Sequence, residues 1–195
     1  MMKKILFQLT LSFALLIFGA LNTQAQSSDS TPSKTTFNNQ TMVAQVGIGL
    51  GGYANTYSSQ TPIISAAFEK AYKEKIGPGY LGIGGQIGYK SATYDYGSVG
   101  FRYNWKYRYT MLAARALYHP DFISIDNFDV YGGLTLGMYF LRFSSNDDLF
   151  VNYNSNHVLL GAVVGAKYYF TEQLAAYAEL GYGLGYLNVG IAYKL

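Results

Sequence analysis

The chain has 195 residues, no cysteine, and 14 Lys and Arg against 11 Asp and Glu, for a formal charge of +3. Without cysteine there is no disulfide framework, no thiolate metal centre and no lipidated cysteine anchor, and so small a charge excess leaves no electrostatic footprint for nucleic acid. Only 13% of the residues are charged, against a usual ~25%, while 20 are tyrosine and 22 glycine, so few charges are on hand to cover a water-facing surface.

Lys3 and Lys4 precede an apolar run from Ile5 to Leu21 that is broken by Gln8, Thr10 and Ser12 and followed by small residues around Ala25. This order predicts a secretory signal peptide over 1–25, cut after Ala25. The polar, aperiodic stretch 26–41 reads as a disordered lead-in, and a single β domain is expected over 42–195. Loss of Lys3 and Lys4 brings the net charge to about +1.

The domain opens on "QVGIGLGGY", in which Gly47, Gly49 and Gly52 satisfy G-x-G-x-x-G. A dinucleotide turn needs a helix after the glycines and an acidic residue about 20 positions on. Here "YANTYSSQTP" follows, and Glu69, though suitably distant, belongs to another period-two segment. The glycines alternate because a strand alternates: Ala44, Val46, Ile48 and Leu50 share one face, and Gln45, Gly47, Gly49 and Gly51 the other.

The second segment sets Ile64, Ala66, Phe68 and Tyr72 against Ser65, Ala67 and Glu69 before "KEKIGPG" breaks it. Leu81, Ile83, Ile87 and Tyr89 then oppose Gly82, Gly84, Gln86, Gly88 and Lys90, and a Tyr- and Gly-rich stretch runs to about Tyr103. In the fourth segment Leu112, Ala114, Ala116 and Tyr118 oppose Met111, Ala113 and Arg115; "HPDFISIDNFD" reads as a link. The fifth opposes Leu134, Leu136, Met138 and Phe140 to Gly133, Thr135, Gly137 and Tyr139, and the sixth Val158, Leu160, Ala162, Val164, Ala166 and Tyr168 to Gly161, Gly165 and Lys167. After "TEQL" the seventh sets Ala176, Ala178, Leu180 and Tyr182 against Glu179, Gly181 and Gly183. The eighth ends the chain with Leu187, Val189, Ile191, Tyr193 and Leu195 against Asn188, Gly190, Ala192 and Lys194. Eight strands with no helix between them predict an all-β, antiparallel, up-and-down barrel closed without free edges.

The composition of the second face decides which solvent surrounds that barrel. A water-facing exterior alternates in Lys, Glu, Asp and Arg, whereas this face is mainly Gly, Ala, Ser, Thr and Tyr with about one charge per strand. It suits the inside of a small transmembrane barrel, with the Leu, Ile, Val and Phe face toward lipid. Tyr72, Tyr80, Tyr89, Tyr103, Trp105, Tyr118, Tyr168 and Tyr182 then supply two aromatic girdles. Export from the periplasm would leave the links at 73–79, 119–129 and 170–173 inside, and the longer ones near 55–62, 91–106 and 142–156 outside.

From "QVGIGLGGY" through "GAKYYFTEQLAAYAELGYG" to "YLNVGIAYKL", the mature chain resembles the small eight-stranded outer-membrane barrels of the OmpX/opacity type. Members usually end in an aromatic after alternating apolar residues, which the outer-membrane assembly machinery reads. Val189, Ile191 and Tyr193 match, and Leu195 stands last. The resemblance implies the outer membrane of a Gram-negative bacterium, reached after signal-peptide export, with lipid, lipopolysaccharide and that machinery as partners. It names no surface ligand, because this architecture hosts several roles.

Glu69, Arg115, Lys167 and Glu179 all fall on the inward parity. An unpaired charge between low-dielectric walls is costly, so an interior ion-pair network is expected. Eight strands enclose a space that side chains fill, which points to a structural or surface-interaction role with a filled lumen. The alternative is a porin-like carrier of small apolar solutes; further behind stands a rim-located lipid-modifying enzyme resting on His157, Ser155 and Asp147 or Asp148. No enzyme, cofactor or metal site is assigned: two isolated histidines offer no ligand spacing. Arg102, Trp105, Lys106 and Arg108, expected on an external loop, are assigned to the interfacial belt and to lipopolysaccharide phosphates.

Overall fold

A computed structural model describes residues 36–51, 59–98, 101–123, 125–145 and 154–195; the expected signal peptide, most of the expected lead-in, and Asp147 and Asp148 lie outside them. The strands are β1 (Met42–Leu50), β2 (Ser59–Gln60), β3 (Ile63–Lys75), β4 (Gly79–Ser98), β5 (Phe101–Pro120), β6 (Phe128–Ser145), β7 (Asn154–Tyr169), β8 (Leu174–Tyr182) and β9 (Leu187–Lys194). Sequential antiparallel pairing runs β4–β3–β1–β9–β8–β7–β6–β5, and the β4–β5 ladder returns to the start. The result is a closed ring of eight, with the two-residue β2 added to β4 at Ser59↔Thr93 and Gln60↔Ala92.

Closure depends on the β1–β9 ladder, Val43↔Lys194 through Leu50↔Leu187, which Leu195 N extends by donating to Met42 O at 2.9 Å. Period two then places each side chain. Val158 (76% exposed), Leu160 (65%) and Val46 (61%) stand outside with Ile48, Ile64, Leu134 and Leu136, while Lys167, Arg115, Glu69 and Glu179 are buried inside. An exterior of this composition is solvated by hydrocarbon rather than water.

One end is closed by short links: Ile76–Pro78 with Ile76 N on Gly79 O, 121–127, and Phe170–Gln173, where the Thr171 hydroxyl accepts from Leu174 N. The opposite end is uneven, because β4 and β5 have 20 residues each while β8 has 9 and β9 has 8. The stretch expected as an external loop at 91–106 is therefore continued hairpin. Its register runs unbroken from Gly79↔Pro120 to Ser98↔Phe101, since Thr, Tyr, Trp and Phe favour a pleated ladder.

Three further expectations are corrected. The 119–129 link is shorter, because β5 keeps His119 and Pro120 and β6 already holds Asp129. Within the lead-in expected over 26–41, the described residues 36–41 are packed and hydrogen-bonded: Thr41 N donates to Asn38 O, Ala71 N donates to Thr41 O, and Phe37 is buried. Gly51 is exposed at φ +77°, leaving the strand instead of lining the lumen; glycine is suited to that left-handed position.

Candidate functional site

The interior is built by the inward residues of β3, β5, β6, β7 and β8, which the register brings to similar depth. Glu69 lies opposite Gly84, Gly84 opposite Arg115, and Arg115 opposite Thr135. Gly165 lies opposite both Tyr131 and Glu179. A methyl group at Gly165 would crowd the Tyr131 ring and Glu179 Cγ, and one at Gly82 would overlap the Glu69 carboxylate. The inward glycines are therefore the space the large polar side chains occupy.

Two ionic groups form. Arg115 donates to Glu179 Oε1 at 2.5 Å, and the same oxygen accepts from Tyr131 Oη at 2.9 Å and Gln45 Nε2 at 3.2 Å. Toward the short-link end, His119 Nε2 meets Glu69 Oε1 at 2.7 Å and His119 Nδ1 meets Asp129 Oδ1 at 2.7 Å. The Lys167 ammonium lies 3.4 Å from Glu69 Oε2 and 3.3 Å from Asp129 Oδ2. Tyr131 joins the groups, since its hydroxyl serves Glu179 while its ring centre lies 3.8 Å from Lys167 Nζ. Each ring nitrogen of His119 faces a carboxylate oxygen, an arrangement met when both donate. Lys167, Arg115 and His119 then balance Glu69, Asp129 and Glu179.

The structure thus brings the four inward charges into one connected interior and adds His119 and Asp129. Both additions obey the same parity, odd numbers running inward from Met111 to His119 and from Asp129 to Tyr139, but Pro120 and the neighbouring acids hid it. A proline at the last strand position leaves the parity before it intact.

Aromatic and aliphatic groups lie beyond each end of the network. The Phe37 ring stacks on His119 with centroids 3.6 Å apart and planes at 4°. Around it, Thr36 Oγ1 donates to Phe128 O at 2.6 Å and Lys194 Nζ to Thr36 O at 2.7 Å, so the ordered lead-in is tied to β3, β6 and β9 across the short-link mouth. At the tall end, the turn between β8 and β9 drops Leu184 against Met111 and Leu159, and the Tyr139 hydroxyl donates to Gly183 O. Voids of about 20 and 30 Å3 remain, the first beside Arg115 and Glu179, the second between Ile63, Met111, Tyr139 and Leu184. Each has room for one or two waters.

The residues assigned to an external loop lie on β5 instead. Lys106 and Arg108 point outward and are exposed; the half-buried Trp105 points to the opposite face, 5.6 Å from the Tyr94 ring and 6.4 Å from Phe143. The Arg102 side chain lies outside the described residues. Of the expected girdle, Tyr72, Tyr89, Tyr168 and Tyr182 are exposed on the outer face, whereas Tyr80 packs against the interior cluster; the Tyr103 side chain is not among those described. His157 and Ser155 meet at 3.0 Å on the exposed rim. Among the described residues no group of three His, Cys, Asp or Glu is placed to hold a metal ion.

A closed ring of eight strands, apolar outside and ionic inside, defines a transmembrane β-barrel. No protein-family model matches the chain, and no curated protein matches it in sequence. Among solved structures it is similar to Ail, the attachment invasion locus protein of Yersinia pestis, in complex with the heparin analogue sucrose octasulfate (14% identity, 80% of this chain and 97% of that one, TM-score 0.46). It is also similar to the N-terminal β-barrel domain of Pseudomonas aeruginosa OprF (16%, 81% and 100%, 0.45) and to a de novo designed transmembrane β-barrel (16%, 82% and 98%, 0.39).

Proposed function

We propose that this protein is a non-enzymatic outer-membrane barrel of a Gram-negative bacterium, exported by its signal peptide, whose work is done by its outer surface rather than through its lumen. The observation that carries this is the filled interior. Phe37 stands over one mouth, the six charged groups and Tyr131 occupy the middle, and Leu184 with Met111 and Leu159 occupies the other mouth. A hydrated ion meets desolvated charges already paired with one another here, and an apolar solute meets those same charges, so the porin-like carrier is the weaker reading. Residues 1–25 act as the export signal and 26–41 as the periplasmic lead-in. Outer-membrane lipid, lipopolysaccharide and the assembly machinery are the partners.

Planar-bilayer recording of the purified barrel tests the reading. Silence or rare small openings are expected; large, stable, ohmic openings would overturn it.

A further inference from the structure

The outward row just above the upper aromatic girdle carries two arginines that no carboxylate among the described residues pairs with. Register fixes that row. Tyr89, Thr110 and Phe140 lie side by side across β4, β5 and β6, and one outward step further come Ser91, Arg108, Arg142 and Asn154. The next step brings Thr93, Lys106 and Ser144. Each step of two residues on a tilted strand climbs about 5 Å, which sets Arg108 and Arg142 at headgroup height above the lipid-facing Leu112, Met138 and Phe140.

Arg108 and Arg142 are direct cross-strand neighbours, about 4.5–5.5 Å apart at Cα, where like charges repel. Both are exposed, as is Lys106, and among the described residues no carboxylate pairs with any of the three. The acid next along this face, Asp95, lies opposite Asn104, from which it accepts a 2.5 Å hydrogen bond. A doubly charged oxyanion between the two guanidiniums turns the repulsion into two shared contacts, and guanidinium is suited to grip phosphate through paired N–H groups.

We propose that Arg108, Arg142 and Lys106 form a docking site for the phosphate-bearing headgroup of a lipid in the surrounding leaflet. Its acyl chains lie against Leu112, Met138 and Phe140. A lipid fits better than a soluble polyanion because the apolar Phe140 and Met138 follow directly beneath Arg142 on β6, with Leu112 beside Met138, so one ligand gains both contacts. The inference rests on the reading of the barrel as an outer-membrane protein.

The test uses the purified full chain and the double variant Arg108→Gln/Arg142→Gln in neutral-lipid nanodiscs doped with diphosphoryl or dephosphorylated lipid A. Retained lipid A per barrel is measured after detergent exchange. At about a fivefold affinity loss per charge, the pair variant should hold diphosphoryl lipid A roughly 25-fold more weakly, with no difference for the dephosphorylated form. The variant should resist urea in neutral lipid at least as well as the parent, because a repulsion has been removed. Equal retention of the two lipids, or equal retention by parent and variant, would overturn the proposal. So would displacement by soluble pyrophosphate at a concentration that matches the lipid, which would assign the site to a soluble anion. Heat-shifted gel mobility in neutral lipid reports separately on the barrel, so a failed docking site and a failed barrel give different results.

Discussion

Removing one partner of the Arg115–Glu179 pair separates a sealed lumen from a wet one. The two groups meet at 2.5 Å with 4% and 5% of their side chains exposed. At an effective dielectric of ~20, charges 3–4 Å apart attract by about 4–5 kcal/mol, and breaking a desolvated pair from one side costs about 3–5 kcal/mol. The two sides differ. Arg115→Met leaves Glu179 with the Tyr131 hydroxyl and the Gln45 amide, so its loss should fall near 3 kcal/mol. Glu179→Gln strands a guanidinium whose Nε has no acceptor among the described residues, so its loss should approach 5 kcal/mol. Arg115→Met/Glu179→Gln leaves no buried charge at the site and should cost under about 1 kcal/mol, so the two single losses together exceed the double loss by a coupling of roughly 7 kcal/mol. Urea unfolding in lipid vesicles, followed by fluorescence of the single tryptophan, Trp105, measures all four corners of the cycle. Single losses under about 1 kcal/mol that simply add would refute the reasoning, because they are the mark of a solvated pair and hence of water through the barrel.

Phe37→Ala removes the ring that covers His119, and small openings should become frequent in planar bilayers where the parent is nearly silent; an unchanged record would show that the ring is no part of the seal. Gly47→Val drives a side chain into the Tyr177 hydroxyl and the Val189 carbonyl and should lose about 1–3 kcal/mol in urea titration. Gly85→Ala meets only the Ala113 carbonyl oxygen at 3.5 Å and should be within about 0.5 kcal/mol of the parent. His157→Ala breaks the exposed Ser155 contact, and mass spectrometry of envelope lipids should find their acyl and phosphate composition unchanged; an altered lipid A would revive the enzyme.

Alternation made the barrel legible, because a strand between lipid and a packed interior must repeat every second residue, and Val46, Ile48 and Leu50 against Gln45, Gly47 and Gly49 do so without exception. The same parity placed Glu69, Arg115, Lys167 and Glu179 inside. It did not state their pairing, which depends on register, and register is set by the ladders rather than by any one strand. His119 and Asp129 went unseen because proline and clustered acids in "HPDFISIDNFD" look like a link. Phe37 went unseen for a different reason: a lone aromatic in a polar stretch has no period, and its partner is an imidazole far along the chain. The tall hairpin reads as a loop in the sequence since its tyrosines, glycines and bases suit both, and only pairing with the opposite strand distinguishes them.

The ladder between β1 and β9 has a temporal consequence. Every other pairing in the ring joins strands that follow one another along the chain, with only the two-residue β2 between β1 and β3, and can be made as soon as the second strand exists, but the first strand's remaining edge waits for the last one. Until then the chain is an open sheet with two bare rims, each a row of unpaired amides and carbonyls that any passing strand can satisfy. A contact between the extremes of the sequence is slow to form, since the loop-closure entropy comes before the reward. The eighth strand of the ring therefore acts as a clasp. Its removal should leave a sticky half-cylinder rather than a smaller barrel, and a helper that guards the two rims would govern how many copies finish.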